Sequence, residues 1–355
     1  MTETRASKVR EILDKNDLHA CIFKSMDNIF YLTGFRGTEG TALVTRGDVI
    51  LIVDGRYVTY AKDVAKGCIV VETKGRDMGL TDLVERYGIG RLGFDSSHTD
   101  YQTYSGWKDK LPAVEFVPLG EDVEIIRQRK EPLEILAIRK ALDVATRAFD
   151  SVVGNIKTGM TEKSIAAELD YAMRRFGAEH TSFDTIVASG VRSALPHGRP
   201  SDKAIGPGDA VIVDFGAQID GYCSDETVTL TVGKADDEIL RISAVVREAQ
   251  QKGIAIVRSG TPVQDVDSVV RGYIEDQGYG QFFKHGTGHG VGIAVHEAPS
   301  VTIKSEGLLE EGMVITIEPG IYVPGLGGVR LEEMVLVTET GAEVLTRLRK
   351  DLIQV

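Results

Sequence analysis

The hydrophobic pattern changes character part-way along the chain. Up to about residue 120, short apolar runs alternate with polar, turn-rich segments, which is typical of strands that alternate with helices. The pattern predicts a helix over Ala6–Asn16, followed by strands over Ala20–Phe23, Thr41–Thr45, Asp48–Val53 and Cys68–Glu72. The first part of the chain is therefore predicted to be α/β.

A charged stretch over Glu121–Glu131 precedes a long helical pattern that continues to Val153. This change predicts a domain boundary near residue 122, with residues 1–121 in one domain and residues 122–355 in the next. A chain of 355 residues is long for a single hydrophobic core, which supports two domains.

The second domain contains an internal duplication. Gly159 and Gly260 lie in similar short segments, 101 residues apart, and a helical pattern follows each segment and ends at a glycine. In the second copy, Thr261 is predicted to be the N-cap of the following helix, with Pro262 in its first turn. Long helical patterns precede the two copies, over Ile135–Val153 and Glu238–Ile256.

An acidic hairpin is predicted after the first copy. Two strand-like runs, around Asp214 and around Asp225, flank a turn near Ile219 and Asp220. The two acids are equidistant from that turn, so a paired hairpin would place them opposite each other. Like charges that face each other in a sheet are destabilising. A bound metal cation would offset the repulsion.

A second acidic hairpin follows the second copy. Glu318 and Glu332 are equidistant from Gly325, which lies in a glycine-rich turn. They too are predicted to face each other, with Tyr322 on the Glu318 side and Arg330 on the Glu332 side. The duplicated domain thus presents one acidic hairpin in each half. Four acids in this matched arrangement are difficult to explain as ordinary sheet-surface residues.

Histidines are concentrated between the two hairpins. Three of the seven histidines in the chain, His285, His289 and His296, lie in one glycine-rich segment. Near pH 7 a histidine can act as a metal ligand or as an acid–base group. A fourth, His197, lies in a turn-rich loop and would by itself be an ordinary loop residue as readily as a functional one.

These residues predict a site for divalent metal ions. Oxygen-rich ligands with an imidazole suit Mn²⁺, Co²⁺, Fe²⁺ or Zn²⁺ better than a structural zinc held by thiolates. Four carboxylates are too many for one ion and suit two, and such a pair can activate a water molecule for hydrolysis. Competing motifs are missing from the sequence, which has no phosphate-binding loop, no His-Glu-x-x-His and no Gly-x-Ser-x-Gly.

Composition narrows the class of protein. The formal net charge of −12 disfavours a nucleic-acid-binding protein. The apolar runs are too short to cross a membrane, and the N-terminus lacks the apolar core of a signal peptide. Three cysteines, odd in number and without a close pair, fit a reducing compartment. We therefore expect a cytoplasmic protein that binds neither nucleic acid nor membranes.

The motifs resemble those of the pita-bread metallopeptidases, and in particular the branch that contains Xaa-Pro dipeptidases (prolidases) and aminopeptidase P. The resemblance covers roughly residues 125–350. It rests on the hairpin from Asp214 to Asp225 and on three further motifs: His285-Gly-Thr-Gly-His289-Gly-Val-Gly, Ile317-Glu-Pro-Gly-Ile-Tyr322 and Gly328-Val-Arg-Leu-Glu332. The N-terminal part, including Tyr31–Phe35, looks more loosely like the creatinase-type domain that precedes this fold. The implied architecture is α/β (α+β), with a creatinase-like domain followed by a pita-bread domain of duplicated halves.

The resemblance also implies roles for individual residues. Two divalent ions, most commonly Mn²⁺, would be bound by a set of five residues: Asp214, Asp225, His289, Glu318 and Glu332. Glu318 would also act as the general base. His197 and His296 would contact the substrate carbonyl, while His285, Arg330 and Tyr322 would support the ligands or the substrate. The expected substrates are peptides with proline in the second position, and the family suggests a homodimer.

One departure from the family pattern bears on substrate length. Some prolidases carry an arginine shortly after the second histidine of this segment, where it holds a dipeptide carboxylate. Here the sequence after His296 reads Glu-Ala-Pro-Ser-Val. This favours an aminopeptidase P type over a strict dipeptidase, unless another basic residue serves, such as Arg199, Arg330 or Arg36 of a neighbouring chain.

Two other functions are less consistent with the sequence. A catalytically silent peptide-binding module would be expected to lack a metal ligand, and all five family positions are filled. Hydrolysis of a non-peptide C–N bond, as in creatinase, is disfavoured for the same reason, because creatinase does not keep the full ligand set.

Overall fold

The computed structural model describes residues 2–73 and 79–355. The chain divides into two compact units, Met1–Arg127 and Gln128–Val355. The predicted boundary near residue 122 falls in the short 3₁₀ turns that precede this division, over Gly120–Val123 and Ile125–Arg127.

The first unit is built on a mixed sheet of six strands in the order β4-β3-β2-β1-β5-β6. Strand β2 is antiparallel to both of its neighbours, and the other pairs are parallel. The four predicted strands are confirmed to within one residue at each end, and the first helix begins earlier than predicted. The strands are β1 Ala20–Phe23, β2 Thr41–Thr45, β3 Val49–Asp54, β4 Ile69–Thr73, β5 Arg91–Phe94 and β6 Glu115–Pro118; the helices are α1 Thr2–Lys15, α2 Met26–Thr33, α3 Val58–Val64, α4 Leu80–Tyr87 and α5 Tyr101–Lys110.

The second unit contains four long helices and four small sheets. Its helices are α6 Pro132–Val153, α7 Glu162–Arg175, α8 Asp237–Ile256 and α9 Val263–Asp276. Its strands are β7 His180–Thr181, β8 Ile186–Ser189, β9 Ala210–Phe215, β10 Ala217–Ile219, β11 Tyr222–Cys223, β12 Glu226–Thr231, β13 Gly288–Gly290, β14 Glu297–Val301, β15 Val314–Ile317, β16 Gly320–Val323, β17 Gly327–Arg330, β18 Glu333–Val337, β19 Ala342–Val344 and β20 Ile353–Gln354. The sheets have the orders β11-β10-β7, β20-β12-β9-β8, β14-β13-β15-β18-β19 and β16-β17.

The predicted duplication is confirmed. Helix α6 packs against α7 in the first half, and α8 packs against α9 in the second. The loops between the paired helices contain Gly159 and Gly260 with φ of 93° and 87°, a left-handed conformation that glycine adopts without strain. One cluster of buried apolar side chains lies between α6, α7 and the first-half strands, and two more surround α8 and α9.

The capping prediction for the second copy was wrong. Thr161 is the N-cap of α7, but the N-cap of α9 is Pro262, without a side-chain hydrogen bond. The hydroxyl of Thr261 instead donates to the carbonyl of Ile256, at the end of α8. The two copies therefore begin their second helices at equivalent positions, but only the first has a side-chain cap. None of the helices in the described ranges has the length and apolar composition that a membrane-spanning segment requires.

Candidate active site

The first acidic hairpin has a different register from the one predicted. Strands β9 and β12 pair so that Asp214 lies opposite Thr227, not opposite Asp225. The chain reverses at Asp220 and Gly221, both with positive φ, and Ile219 pairs with Tyr222. The turn is thus centred one residue later than the symmetry of the sequence suggested, which moves the partner of Asp214 by two residues.

The shift keeps the two acids on the same face. Asp225 directly precedes β12 and lies two residues before Thr227, so it is the diagonal neighbour of Asp214. Diagonal neighbours on one face of an antiparallel pair remain within reach of each other. The prediction of a shared acidic face holds, although the prediction of direct opposition was wrong.

The second acidic hairpin has the predicted register. Ile317 pairs with Glu333 in one ladder, and Gly320 pairs with Arg330 in the next. Both pairings have the same centre, so Glu318 and Glu332 occupy opposing positions between the two ladders. Glu332 is almost completely buried, and the hydroxyl of Thr227 donates to its Oε2 atom over 2.8 Å.

The histidine-rich segment enters the site through β13. Gly288 is required immediately before His289, because a Cβ atom there would overlap the carbonyl oxygen of Thr316. The Nδ1 atom of His289 lies 3.1 Å from the carbonyl of Gly290, which accepts a hydrogen bond if Nδ1 carries the proton. Nε2 is then free to act as a ligand, and it lies 3.6 Å from Asp225 Oδ2 and 3.3 Å from Glu318 Oε1.

Asp225, His289 and Glu332 converge closely enough to hold a metal ion. Each offers a ligand atom, and these atoms all lie within 4.8 Å of one another. Two buried carboxylate oxygens nearby, Asp214 Oδ1 and Glu332 Oε1, have no hydrogen-bond partner among the described residues. A buried carboxylate oxygen without a partner is costly unless a cation binds it. The residues therefore fit the divalent ions that the sequence predicts.

Electrostatics at the site reflect the crowding of negative charge. Burial raises the pKa of Asp225 and of Glu332 well above the usual range, and the neighbouring carboxylates raise both pKa values further. Burial also raises the pKa of Asp214, although Arg330 opposes this effect. Burial is the largest single effect on Glu318 and on His289. Their mutual hydrogen bond and charge attraction, together with smaller effects of neighbouring groups, outweigh it, so the pKa of Glu318 is lowered and that of His289 is raised. A cation would relieve the repulsion among these acids.

Arg330 connects the acids to the residues predicted to support them. Its Nη2 atom donates to Asp214 Oδ2 over 2.6 Å, and its Nη1 atom donates to the hydroxyl of Tyr322 over 3.0 Å. The same hydroxyl lies 2.9 Å from His285 Nε2. Because Nδ1 of His285 faces the carbonyl of Gly286, Nε2 can accept the proton of Tyr322. Burial raises the pKa of Tyr322 to about 12, so the phenol keeps that proton.

A cavity of about 420 Å³ opens over these groups. His197 and His296 line it together with the predicted ligands, and the rings of His296 and His289 are 4.3 Å apart between centroids. Every predicted site residue lies on the cavity wall except Tyr322, which reaches it through His285 and Arg330. The remaining lining is formed by Phe183, Asp184, Ile186, Pro196, Arg199, Gly286, Gly288, Ser300 and Thr302.

Sequence reasoning missed several residues that shape the site. Thr227 lies on the same strand face as Asp225, and it accepts from Arg330 Nε while donating to Glu332. Period-two alternation from Asp225 was a signal that could have identified it. Phe183 and Ile186 line the cavity from a segment whose sequence shows no comparable pattern, so nothing local marked them.

Comparison with known proteins agrees with this geometry. Residues 137–339 match Metallopeptidase family M24, and residues 5–129 match the creatinase/prolidase N-terminal domain. The chain is 38% identical to an Xaa-Pro dipeptidase of Pyrococcus horikoshii, over 98% of each chain.

Solved structures give the same result. An Xaa-Pro dipeptidase from Bacillus anthracis superposes with a TM-score of 0.97 at 39% identity, and the match covers 100% of both chains. An X-Pro aminopeptidase from Thermotoga maritima gives a TM-score of 0.92 at 35% identity over 99% of both chains. With both units matched and the fold shared along its whole length, this chain belongs to metallopeptidase family M24 and is an enzyme of its Xaa-Pro peptidase group, with a creatinase-type N-terminal domain and a pita-bread catalytic domain.

Proposed function

We propose that this enzyme hydrolyses the Xaa-Pro bond at the N-terminus of peptides, with two divalent metal ions bound by five side chains. The observation that carries the proposal is the convergence of three ligand atoms within 4.8 Å beside buried carboxylate oxygens that have no partner among the described residues. The proposed ligands are Asp214, Asp225, His289, Glu318 and Glu332.

The five side chains have different proposed roles in metal binding. Asp225 and Glu332 would each contribute to holding both ions, Asp214 and His289 would each hold one, and Glu318 would hold the same ion as His289. When bound, the ions polarise the scissile carbonyl and lower the pKa of water. Arg330 and Thr227 hold Asp214 and Glu332 in fixed orientations, since each donates to one oxygen of its acid.

Three further side chains act on the substrate. Glu318 lies on the cavity wall beside His289 and is the proposed general base. His197 and His296 also line the cavity, where a ring N–H can donate to the substrate carbonyl oxygen as negative charge develops there. His285 and Tyr322 support this wall through their mutual hydrogen bond.

The proposal of proline at the second position is supported by the chemistry of its peptide bond and by the relatives. An Xaa-Pro bond has no N–H and a fixed φ, so it fits poorly into clefts that pair with an extended backbone. The named relatives act on Xaa-Pro substrates according to their descriptions. A site that acts through metal ions and side chains suits such a bond.

Two observations bear on the length of the substrate, and they favour different types of enzyme. The missing arginine after His296 favours longer peptides, and we keep the aminopeptidase P type as the first proposal. The dipeptidase alternative is favoured by a specific observation, because Arg199 lines the cavity. Arg330 is less suited to that role, since its guanidinium already donates to Asp214, Tyr322 and Pro196.

Paired substrates distinguish the two types. Metal-loaded enzyme is assayed with an Xaa-Pro dipeptide, the same dipeptide with a C-terminal amide, and an Xaa-Pro-Yaa tripeptide. Cleavage of the tripeptide and of the amide supports the aminopeptidase type. Cleavage of the free dipeptide alone supports the dipeptidase. In that case Arg199→Ala is expected to raise KM for the dipeptide about tenfold or more, the usual effect of losing a charged hydrogen bond.

The remaining proposals concern the identity of the metal, the cellular location and the oligomeric state. Carboxylate-rich ligands with one imidazole favour Mn²⁺, with Co²⁺, Zn²⁺ or Fe²⁺ as alternatives. The three cysteines, Cys21, Cys68 and Cys223, are free, which fits the proposed cytoplasmic location. A homodimer remains the proposed assembly on the basis of the family alone.

A further inference from the structure

Glu162 is a buried carboxylate outside the proposed metal site. It is the first residue of α7, and its side chain is fully buried. Its Oε1 atom accepts from the backbone N–H and hydroxyl of Ser189 over 2.8 Å and 2.9 Å. Its Oε2 atom accepts from the backbone N–H and hydroxyl of Ser201 over 3.0 Å and 2.6 Å. Arg192 completes the set with a 3.0 Å bond from Nε to Oε2.

The donors to Glu162 come from both ends of one loop. Ser189 ends β8 and Ser201 follows about a dozen residues later, so a single carboxylate joins the two ends. Arg192 lies inside the loop, and its Nη2 atom donates over 2.7 Å to the carbonyl of Arg199. Glu162 therefore holds the loop at both ends and through Arg192.

His197 lies in this loop, and its backbone is held from both sides. Arg330, which also binds Asp214, donates over 2.9 Å to the carbonyl of Pro196. Arg192 donates to the carbonyl of Arg199, two residues after the histidine. Within residues 2–73 and 79–355, the imidazole of His197 forms no hydrogen bond of its own. Its position over the cavity is thus determined by its backbone, and hence by the groups that hold that backbone.

The duplicated half shows that the fold does not require a carboxylate at this place. Val263 begins α9 as Glu162 begins α7, with the same separation of 101 residues as Gly159 and Gly260. Val263 is buried among apolar side chains of the second half. The same helix start is stable with an apolar residue. The carboxylate of Glu162 is therefore explained by the loop residues that hydrogen-bond to it and not by the packing of the helix.

We propose that Glu162, together with Arg192, is a positioning residue for His197, which it holds over the cavity through the backbone of residues 189–201. The inference rests on the proposed function, because it takes His197 to act on the substrate carbonyl. Neither Glu162 nor Arg192 lines the cavity. Both are expected to act on turnover only through the loop that they hold, and on kcat through its histidine.

A double-mutant cycle tests the coupling. On metal-loaded enzyme with an Xaa-Pro-Yaa tripeptide, Glu162→Gln is expected to lower kcat about tenfold to a hundredfold, as misplacement of a catalytic group does, with a much smaller change in KM. His197→Ala lowers kcat as well, and adding Glu162→Gln to it is expected to have no further effect. Multiplicative losses in the double variant would overturn the proposal.

A second measurement needs neither metal nor activity. Hydrogen exchange of the amides of residues 195–201 is expected to quicken in Glu162→Gln, while exchange in residues 285–297 stays unchanged. Arg192→Met, at a side chain that is 31% exposed, gives the same test if Glu162→Gln does not fold. Asp202→Asn is the matched control, because the Asp202 side chain is 86% exposed, is paired with Lys163 and lies next to Ser201.

The two measurements separate the inference from the function on which it rests. Faster exchange confined to residues 195–201, with no further effect of Glu162→Gln in the His197→Ala background, is the expected result. If wild-type enzyme cleaves no Xaa-Pro peptide, the proposed function fails, and exchange alone decides whether Glu162 holds the loop. Unchanged exchange at residues 195–201, or faster exchange throughout residues 128–355, would overturn the inference even in an active enzyme.

Discussion

Arg330 donates a 2.6 Å hydrogen bond from its guanidinium to Oδ2 of Asp214, one of the five proposed metal ligands. The same guanidinium reaches Tyr322 and the carbonyl of Pro196. A planar group with several donors can hold three partners at once, which a lysine ammonium on a flexible stem does poorly. The arginine thus fixes the orientation of Asp214, whose carboxylate otherwise lies beside other negatively charged side chains.

Replacing this arginine should weaken metal binding. In Arg330→Lys, the positive charge remains but the fixed geometry is lost, so we expect the affinity for Mn²⁺ to fall about tenfold to a hundredfold, as for other residues that orient ligands. Titration calorimetry on metal-stripped protein measures the change. An unaltered affinity in Arg330→Lys would show that Asp214 needs no such support.

Glu332→Gln should show separately how Glu332 affects the stability of the metal-free protein and how it affects metal binding. Glu332 is buried beside Asp225, Asp214 and Glu318, so removing its charge is expected to leave the metal-free protein at least as stable as the wild type. Wild-type protein should gain about 2.7 kcal/mol of stability for each ion it binds at a metal concentration of a hundred times Kd, and the variant should gain much less. Thermal unfolding with chelator and with Mn²⁺ measures both effects. An equal gain in the two proteins would contradict the assignment of Glu332.

Asp267 should be important for stability. Its fully buried carboxylate is paired with Arg271, at 2.9 Å, and also accepts from Thr287. Removing one partner of a buried ion pair typically costs about 3–5 kcal/mol, because the other charge is left uncompensated. We therefore expect Asp267→Ala to lose a few kcal/mol in urea unfolding, reduced by the partial exposure of Arg271. Asp143→Ala, at an exposed pair with Arg147, should cost less than about 1 kcal/mol. Similar losses at both positions would contradict this ranking.

Glu162 should make stability depend on pH in a defined direction. Burial alone would raise the pKa of Glu162, but hydrogen bonds from Ser201 and Ser189 outweigh it, so the pKa is below its ordinary 4.5. A carboxylate with a lowered folded-state pKa stabilises the fold above its unfolded pKa, and this contribution disappears as pH falls through the lowered value.

The wild type should therefore be more stable than Glu162→Gln at about pH 7, and the difference should shrink toward about pH 3. Urea unfolding of both proteins across this range measures the difference. A difference that stays constant or grows on acidification would mean that the charge of Glu162 does not stabilise the fold.

The local pattern of apolar, polar and turn residues was sufficient to predict much of the fold. The apolar run Ala20–Phe23 marked its strand to the residue, because that strand is short, buried and bounded by polar residues. The duplication was visible because Gly159 and Gly260 meet the same backbone requirement in each half. The register around Gly325 also followed from the sequence, since the ladders on both sides keep one centre.

Other features depend on contacts that no local pattern reveals. Asp214 was placed opposite Asp225 because the sequence does not show that the chain reverses at Asp220 and Gly221. Thr261 resembled an N-cap, but Pro262 takes that position, and the hydroxyl of Thr261 donates to the carbonyl of Ile256. The role inferred for Glu162 could not be predicted from the sequence, because the fold brings its partners to it from well beyond α7.

Metal-dependent hydrolysis, measured together with metal content, tests the central claim most directly. Protein stripped with chelator and reloaded with Mn²⁺ is assayed on an Xaa-Pro-Yaa peptide and on a matched Xaa-Ala-Yaa peptide, beside Asp225→Asn treated in the same way. We predict no cleavage by stripped protein, and cleavage of the proline peptide restored at about two ions per chain, with neither in Asp225→Asn. Full cleavage by stripped protein, or by metal-free Asp225→Asn, would contradict the account.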